Sequence, residues 1–250
     1  MRNLLLISAT VLLLNSCSSN KENSYYAMEK KYWDVQDYKL AITQININNL
    51  NQEELPNLDN PSTAPIFQKL ADTSNIYVVA SDNQLGVAHK ASFTSEMFDQ
   101  YKSVAQAYAI TDRTDKYKYA KEYAELLKFG LYMQLYYIQT NNDKILKEAD
   151  NLQDPEVIRV TTSNQNILIN NFNIYLDHIN REDQFTEQAL TSFASGIDLY
   201  FPRLLSVAPR GNYSPMLEKV NNMLGKSKNQ NIKSSLERLK ALLQTKKGQS

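Results

Sequence analysis

Two histidines, His89 and His178, supply all the imidazole chemistry available to this chain. His178 has acidic neighbours: Asp177 precedes it, and Glu182 and Asp183 follow a few residues later. Such a set could hold a metal ion or share a proton, since neutral imidazole and carboxylate are both metal ligands. Without a second spaced ligand pair, the plainer reading is a histidine near a helix C-terminus, where the dipole favours it. His89 is near Asp82 and Asp99 in sequence only, and neither histidine belongs to an H-E-x-x-H motif. The carboxylate pairs Glu53-Glu54 and Glu182-Asp183 could supply an acid and a base for glycoside hydrolysis. They stand in loop-like sequence, where solvation is the default. No G-x-S-x-G elbow, P-loop or dinucleotide fingerprint occurs, so the sequence assigns no catalytic residue, no metal and no cofactor. Ser195-Gly196 falls within a helical pattern, where Gly196, like Gly130, reads as a point of close helix approach or as a tolerated cost rather than a catalytic turn.

Two other groups of side chains suit binding rather than catalysis. Tyr25, Tyr26, Tyr32 and Trp33, and later Tyr132, Tyr136 and Tyr137, include several aromatics off the main apolar stripes. Exposed Tyr and Trp favour interfaces and stack on sugars, whereas helical spacing explains most of them as core with hydroxyls at its rim. Beyond Gly211 there are eight Lys or Arg against Glu218 and Glu237, so residues 211–250 form a basic arm. Lys226, Lys228, Lys233, Lys240, Lys246 and Lys247 could meet a phosphate-rich surface or the acidic remainder of the chain, and a solvated face is the simpler account. Overall charge is zero, which argues against a nucleic-acid partner.

The one cysteine, Cys17, excludes an internal disulfide and a cysteine zinc cluster. Its surroundings give it a meaning. Arg2 opens a short positive start, and Leu4 to Leu14 is apolar apart from Ser8 and Thr10. An eleven-residue helix rises about 16 Å, roughly half the hydrocarbon thickness, so the stretch has the shape of a signal peptide and not of a membrane span. Leu14-Asn15-Ser16-Cys17 then resembles the lipobox of bacterial lipoproteins, the substrates of lipoprotein signal peptidase. The resemblance covers residues 1–17 and implies cleavage before Cys17, a diacylglycerol on its sulfur and usually an acylated amino terminus. It implies a membrane partner through that lipid and a place in the bacterial cell envelope. Ser18 in place of Asp resembles outer-membrane sorting if the cell is Gram-negative. Residues 17–24 are polar and aperiodic, as a tether should be.

Residues 25–250 must then supply whatever the anchor holds. A chain of this length with 42% hydrophobic and 22% charged residues can bury one core, and six glycines with seven prolines are too few for an all-β fold. The sequence predicts a single, mainly α domain: an irregular antiparallel helical bundle. Tyr25 to Ile47 reads as helix with a phase slip near Asp37, followed by a long loop over Asn48 to Pro65 and a short helix over Ile66 to Asp72. Ile76-Tyr77-Val78-Val79 and Leu85-Gly86-Val87-Ala88 suggest a small β-hairpin around residues 75–89, with a buried helix as the other reading. Amphipathic spacing predicts helices from Phe93, from about Asp115 to Thr140 with Asn141-Asn142-Asp143 as its stop, and from Asp154-Pro155-Glu156 onward. Further helices follow from Asp183 with a kink or restart at Pro202, from Ser214 to a Gly225 stop, and from Asn229 to Gln244.

Taken together, the residues predict a non-catalytic, lipid-tethered helical module that binds or organises an envelope protein or glycan. An envelope hydrolase using carboxylates or His178 is the alternative, with a small-solute-binding lipoprotein as the third.

Overall fold

Local capping chemistry fixes where four of the helices begin. Asp34 accepts the amides of Gln36 and Asp37 at 2.8 and 3.1 Å while Asp37 accepts that of Asp34 at 2.9 Å, a capping box that opens α1 (Val35–Asn51). The phase slip near Asp37 is therefore a helix start, and residues 25–33 form turns rather than helix. The computed structural model describes residues 25–110 and 118–247, so the leader 1–16 and the tether 17–24 lie outside the described residues. The chain continues as α2 (Ala64–Leu70), α3 (Ser74–Ala80), α4 (Val87–Ile110), α5 (Ala120–Glu148), α6 (Pro155–Ile179), α7 (Glu187–Val207), α8 (Ser214–Lys226) and α9 (Gln230–Lys247). One 3₁₀ turn, Glu182–Gln184, precedes α7. Asp154 and Thr186 cap α6 and α7 through their side chains, and Asn229 accepts the Ile232 amide at 3.0 Å at the start of α9.

Several sequence expectations are corrected. There is no strand among the described residues, and the segment expected to form a hairpin at 75–89 is α3, a turn and the first residues of α4. Ile76 faces the core while Tyr77 and Val78 face out, and buried Asn75 replaces sheet pairing with bonds to the Trp33 amide at 2.8 Å and the Lys69 carbonyl at 2.8 Å. Helix α4 begins at Val87 rather than at Phe93, and the Thr94 hydroxyl inside it lies 2.7 Å from that of Thr140. Asn141-Asn142-Asp143 does not stop α5, because Asn141 bonds back to the Tyr137 carbonyl at 2.7 Å and Asn142 accepts Asn164 of α6 at 2.8 Å. With their side chains satisfied, these residues no longer compete with the backbone, and α5 runs on to Glu148. Helix α7 likewise continues through Pro202, and Gly225 lies inside α8.

The long helices form a row, with α1 packed on α4, α4 on α5, α5 on α7 and α7 on α9. Helix α6 covers α5 and α7, while α8 lies against α9 and α6. Cross-contacts give the directions: Thr94 opposite Thr140 and Tyr108 opposite Tyr119 make α4 and α5 antiparallel, and Tyr175 against Phe193 and Phe172 against Phe201 do the same for α6 and α7. Helices α1 and α9 are thus the two edges of the row.

Close approach is made possible at two glycines. Tyr101 Oη lies where a Cβ on Gly130 would be, 2.0 Å away, and Tyr175 Oη lies 2.1 Å from the corresponding point on Gly196. The loop after α1 is held over the core by long-range bonds. Buried Glu122 accepts the Leu58 amide at 2.7 Å, Tyr119 Oη accepts the Leu55 amide at 2.9 Å, and Tyr108 Oη donates to the Pro56 carbonyl at 2.5 Å.

Candidate functional site

The residues with the richest chemistry in sequence are dispersed by the fold. His178 is half-buried in the last turn of α6, its ring edge-on to Tyr123 with centroids 5.7 Å apart. Burial, with help from Arg181, holds its pKa below the ordinary histidine value. Asp177 turns away to Lys219 of α8 at 2.6 Å. The Glu182 carboxylate accepts the amides of Lys228 and Asn229 at 2.9 and 3.2 Å and a bond from Ser227 Oγ, which ties the α8–α9 turn to the end of α6. Asp183 lines a shallow groove with Lys226 and Lys228. Among the described residues no group of three or more His, Cys, Asp and Glu could hold a metal ion. His89 is exposed in the first turn of α4, and Glu53 and Glu54 are exposed beyond α1. Cys17 lies outside the described residues.

Most of the aromatics are structural. Tyr26 stacks on Trp33 at 6.3 Å, and Trp33 meets Tyr38 edge-on at 5.8 Å. Trp33 Nε1 donates to the Ala27 carbonyl at 2.9 Å. This clamp fixes the segment where the chain enters the body. Tyr132 and Tyr136 stand 4.9 Å apart with the Arg203 guanidinium 5.4 Å from each ring, a cation–π arrangement joining α5 to α7. Tyr137 stacks on Phe98 at 5.1 Å between α5 and α4.

What the fold does assemble is a polar groove of about 720 Å³ between α1, its C-terminal turn and α4. Asn46, Asn49, Gln52, Glu53, Ser103 and Gln106 line it, with Lys118 and Tyr119 at one end. Gln52 takes φ 59°, a left-handed conformation uncommon outside glycine, which ends α1 and turns the chain along the groove. Amide side chains donate and accept at once, so the lining suits a ligand rich in hydroxyl or amide groups. The sequence reading missed this groove because its residues come from three separated segments and none has a motif.

The basic arm folds as α8 and α9 at the edge of the row opposite α1. Lys219 and Arg238 are engaged with Asp177 and Asp198, at 2.6 and 2.7 Å. Lys226 and Lys228 are exposed, and Lys233 and Lys240 lie seven residues apart on one side of α9. These four form no ion pair among the described residues. Compared with family models, curated proteins and solved structures, the chain matches none.

Proposed function

We propose that the chain is a lipid-anchored lipoprotein of the bacterial cell envelope whose helical body binds a polar envelope partner, a glycan or a protein. The observation that carries the proposal is the leader followed by Leu14-Asn15-Ser16-Cys17. Acyl chains on Cys17 contribute about 0.8 kcal/mol per buried CH₂, so two or three chains hold the protein on a membrane where one would be marginal. The fold is compatible with that role: no helix among the described residues is long and apolar enough to cross a membrane, and the Tyr26–Trp33 clamp fixes the point where the tether meets the body. Ser18 supports the outer membrane as the site in a Gram-negative cell. The amide-lined groove is the element of the body best suited to ligand capture.

The anchor is tested by fractionating cells that express the chain with residues 1–17 replaced by a leader that ordinary signal peptidase removes, so that no uncut apolar leader holds it. That variant is expected in soluble or secreted fractions while the native chain pellets with membranes; a native chain that does not pellet overturns the proposal. The groove is tested by the melting temperature of the chain with peptidoglycan fragments, since a ligand that binds only the native state raises it. A rise abolished by Asn49→Ala supports groove binding, and a rise unchanged by that substitution places the ligand elsewhere.

A further inference from the structure

We infer that the outward face of α1 is a bilayer-contact surface, an inference that rests on the lipid anchor proposed above. Helix α1 packs inward through Val35, Tyr38, Ala41 and Ile45. Its other side carries a second apolar stripe, Leu40, Ile47 and Leu50 with Thr43 among them, at steps of three and four residues. Leu40 is 46% exposed and Leu50 83%. Only two residues of Val35–Asn51 are charged, Asp37 and Lys39. Asp37 is buried and held by Lys30 at 2.7 Å, which leaves Lys39 as the one charge facing out. An edge helix meant only for water carries charge on its outer face. A helix with Leu, Ile, Thr and Asn there suits the headgroup zone of a bilayer, where an apolar face dips about 5–10 Å below the surface.

The tether decides which flank meets the lipid. Seven residues lie between Cys17 and Tyr25, which makes eight Cα-to-Cα steps. Fully extended they reach about 27 Å. The entry segment is fixed on the α1 side of the row, where Trp33 donates its amide to Asn75 of α3 and stacks with Tyr26. Helix α9 stands at the other edge of the row, four helix-to-helix contacts from α1, each spanning roughly 8–10 Å between axes. A pose with the basic α9 edge on the membrane sets the row between the entry segment and the lipid, a span the tether must then cover. The pose with α1 down sets no other helix between them. Chain length therefore selects the weakly charged flank over the basic one and leaves α8 and α9 directed away from the anchoring bilayer.

The test uses the full acylated chain, whose native Cys17 sulfur is blocked by lipid. A single cysteine is introduced as Leu50→Cys on α1 or Leu242→Cys on α9 and labelled with an environment-sensitive nitrobenzoxadiazole probe. Vesicles of phosphatidylethanolamine and phosphatidylglycerol are prepared with and without a doxyl-labelled lipid quencher. The inference predicts that the chain floats with the vesicles, that the probe at position 50 shifts to the blue and loses most of its emission to the quencher, and that the probe at position 242 does neither. A floating chain whose position 50 is not quenched overturns the α1 surface and leaves the anchor standing. A blue shift at position 50 without quenching, growing with protein concentration, assigns the face to a second copy and also overturns it. A chain that does not float overturns the anchor and this inference together.

Discussion

Placing a methyl group on Gly196 is predicted to destabilise the bundle although alanine is the better helix former. Built on the backbone, the new Cβ stands 2.1 Å from Tyr175 Oη, 2.8 Å from its Cζ and 3.3 Å from Lys128 Cγ. The ring has little freedom to withdraw. It is buried, its hydroxyl donates to the Phe193 carbonyl at 3.0 Å, and it packs on Phe193 and Phe201 with centroids 5.5 and 6.2 Å away. Overpacking of this kind costs about 1–3 kcal/mol. Losing the hydroxyl bond adds about 1 kcal/mol. Exchanging Gly for Ala inside a helix returns about 1 kcal/mol. The net loss is therefore roughly 1–3 kcal/mol, a fall in Tm of about 3–10 °C for a chain of this size. Thermal unfolding followed by far-ultraviolet circular dichroism measures it, and the decisive comparison is a double-mutant cycle with Tyr175→Phe. Phenylalanine lacks the oxygen at 2.1 Å and relieves the worst contact, so alanine should cost at least about 1 kcal/mol less in that background. An alanine that is neutral or stabilising beside the native tyrosine would refute the reasoning, as would an equal cost in both backgrounds.

Other predictions concern the buried polar anchors and pH. Asn75→Ala removes the acceptor of the buried Trp33 amide. It should cost about 1–3 kcal/mol and speed trypsin cleavage after Lys30 and Lys31. Glu122→Ala leaves the Leu58 amide without its acceptor. A loss of about 1–3 kcal/mol is expected in urea unfolding, with Glu122→Gln retaining most of the stability because an amide oxygen still accepts. His178 is held neutral chiefly by burial, so its folded pKa lies below the unfolded value of about 6.5. The unfolded chain takes up the proton first as pH falls, so stability present above that value is lost on descending through the folded pKa. His178→Gln should flatten the dependence of Tm on pH across this acidic window.

Sequence and structure agree wherever a short segment holds its own evidence. Asp154-Pro155-Glu156 marks the start of α6, and Ser214-Pro215 the start of α8. They part where distant residues decide. Asn75 turns an apolar run that favours strands into α3 by bonding to Trp33 and Lys69, and Asn164 lets α5 pass through asparagines that read as a stop. Leu40 lies on a second face of α1, exposed where Val35, Tyr38, Ala41 and Ile45 turn to the core. Cys17 is legible because its meaning is local. The groove lined by Asn46, Gln52 and Gln106 is not, since polar amides have no periodicity and meet only after α1 packs on α4.

Anchoring at Cys17 is the claim from which both the proposed function and the orientation of α1 follow. The mass of the intact chain isolated from its native host tests it most directly. A chain beginning at Cys17 and heavier by a diacylglycerol, with or without a further acyl group on the amino terminus, is the predicted result. A chain that still carries residues 1–16, or one that begins at Cys17 with an unmodified sulfur, would contradict it.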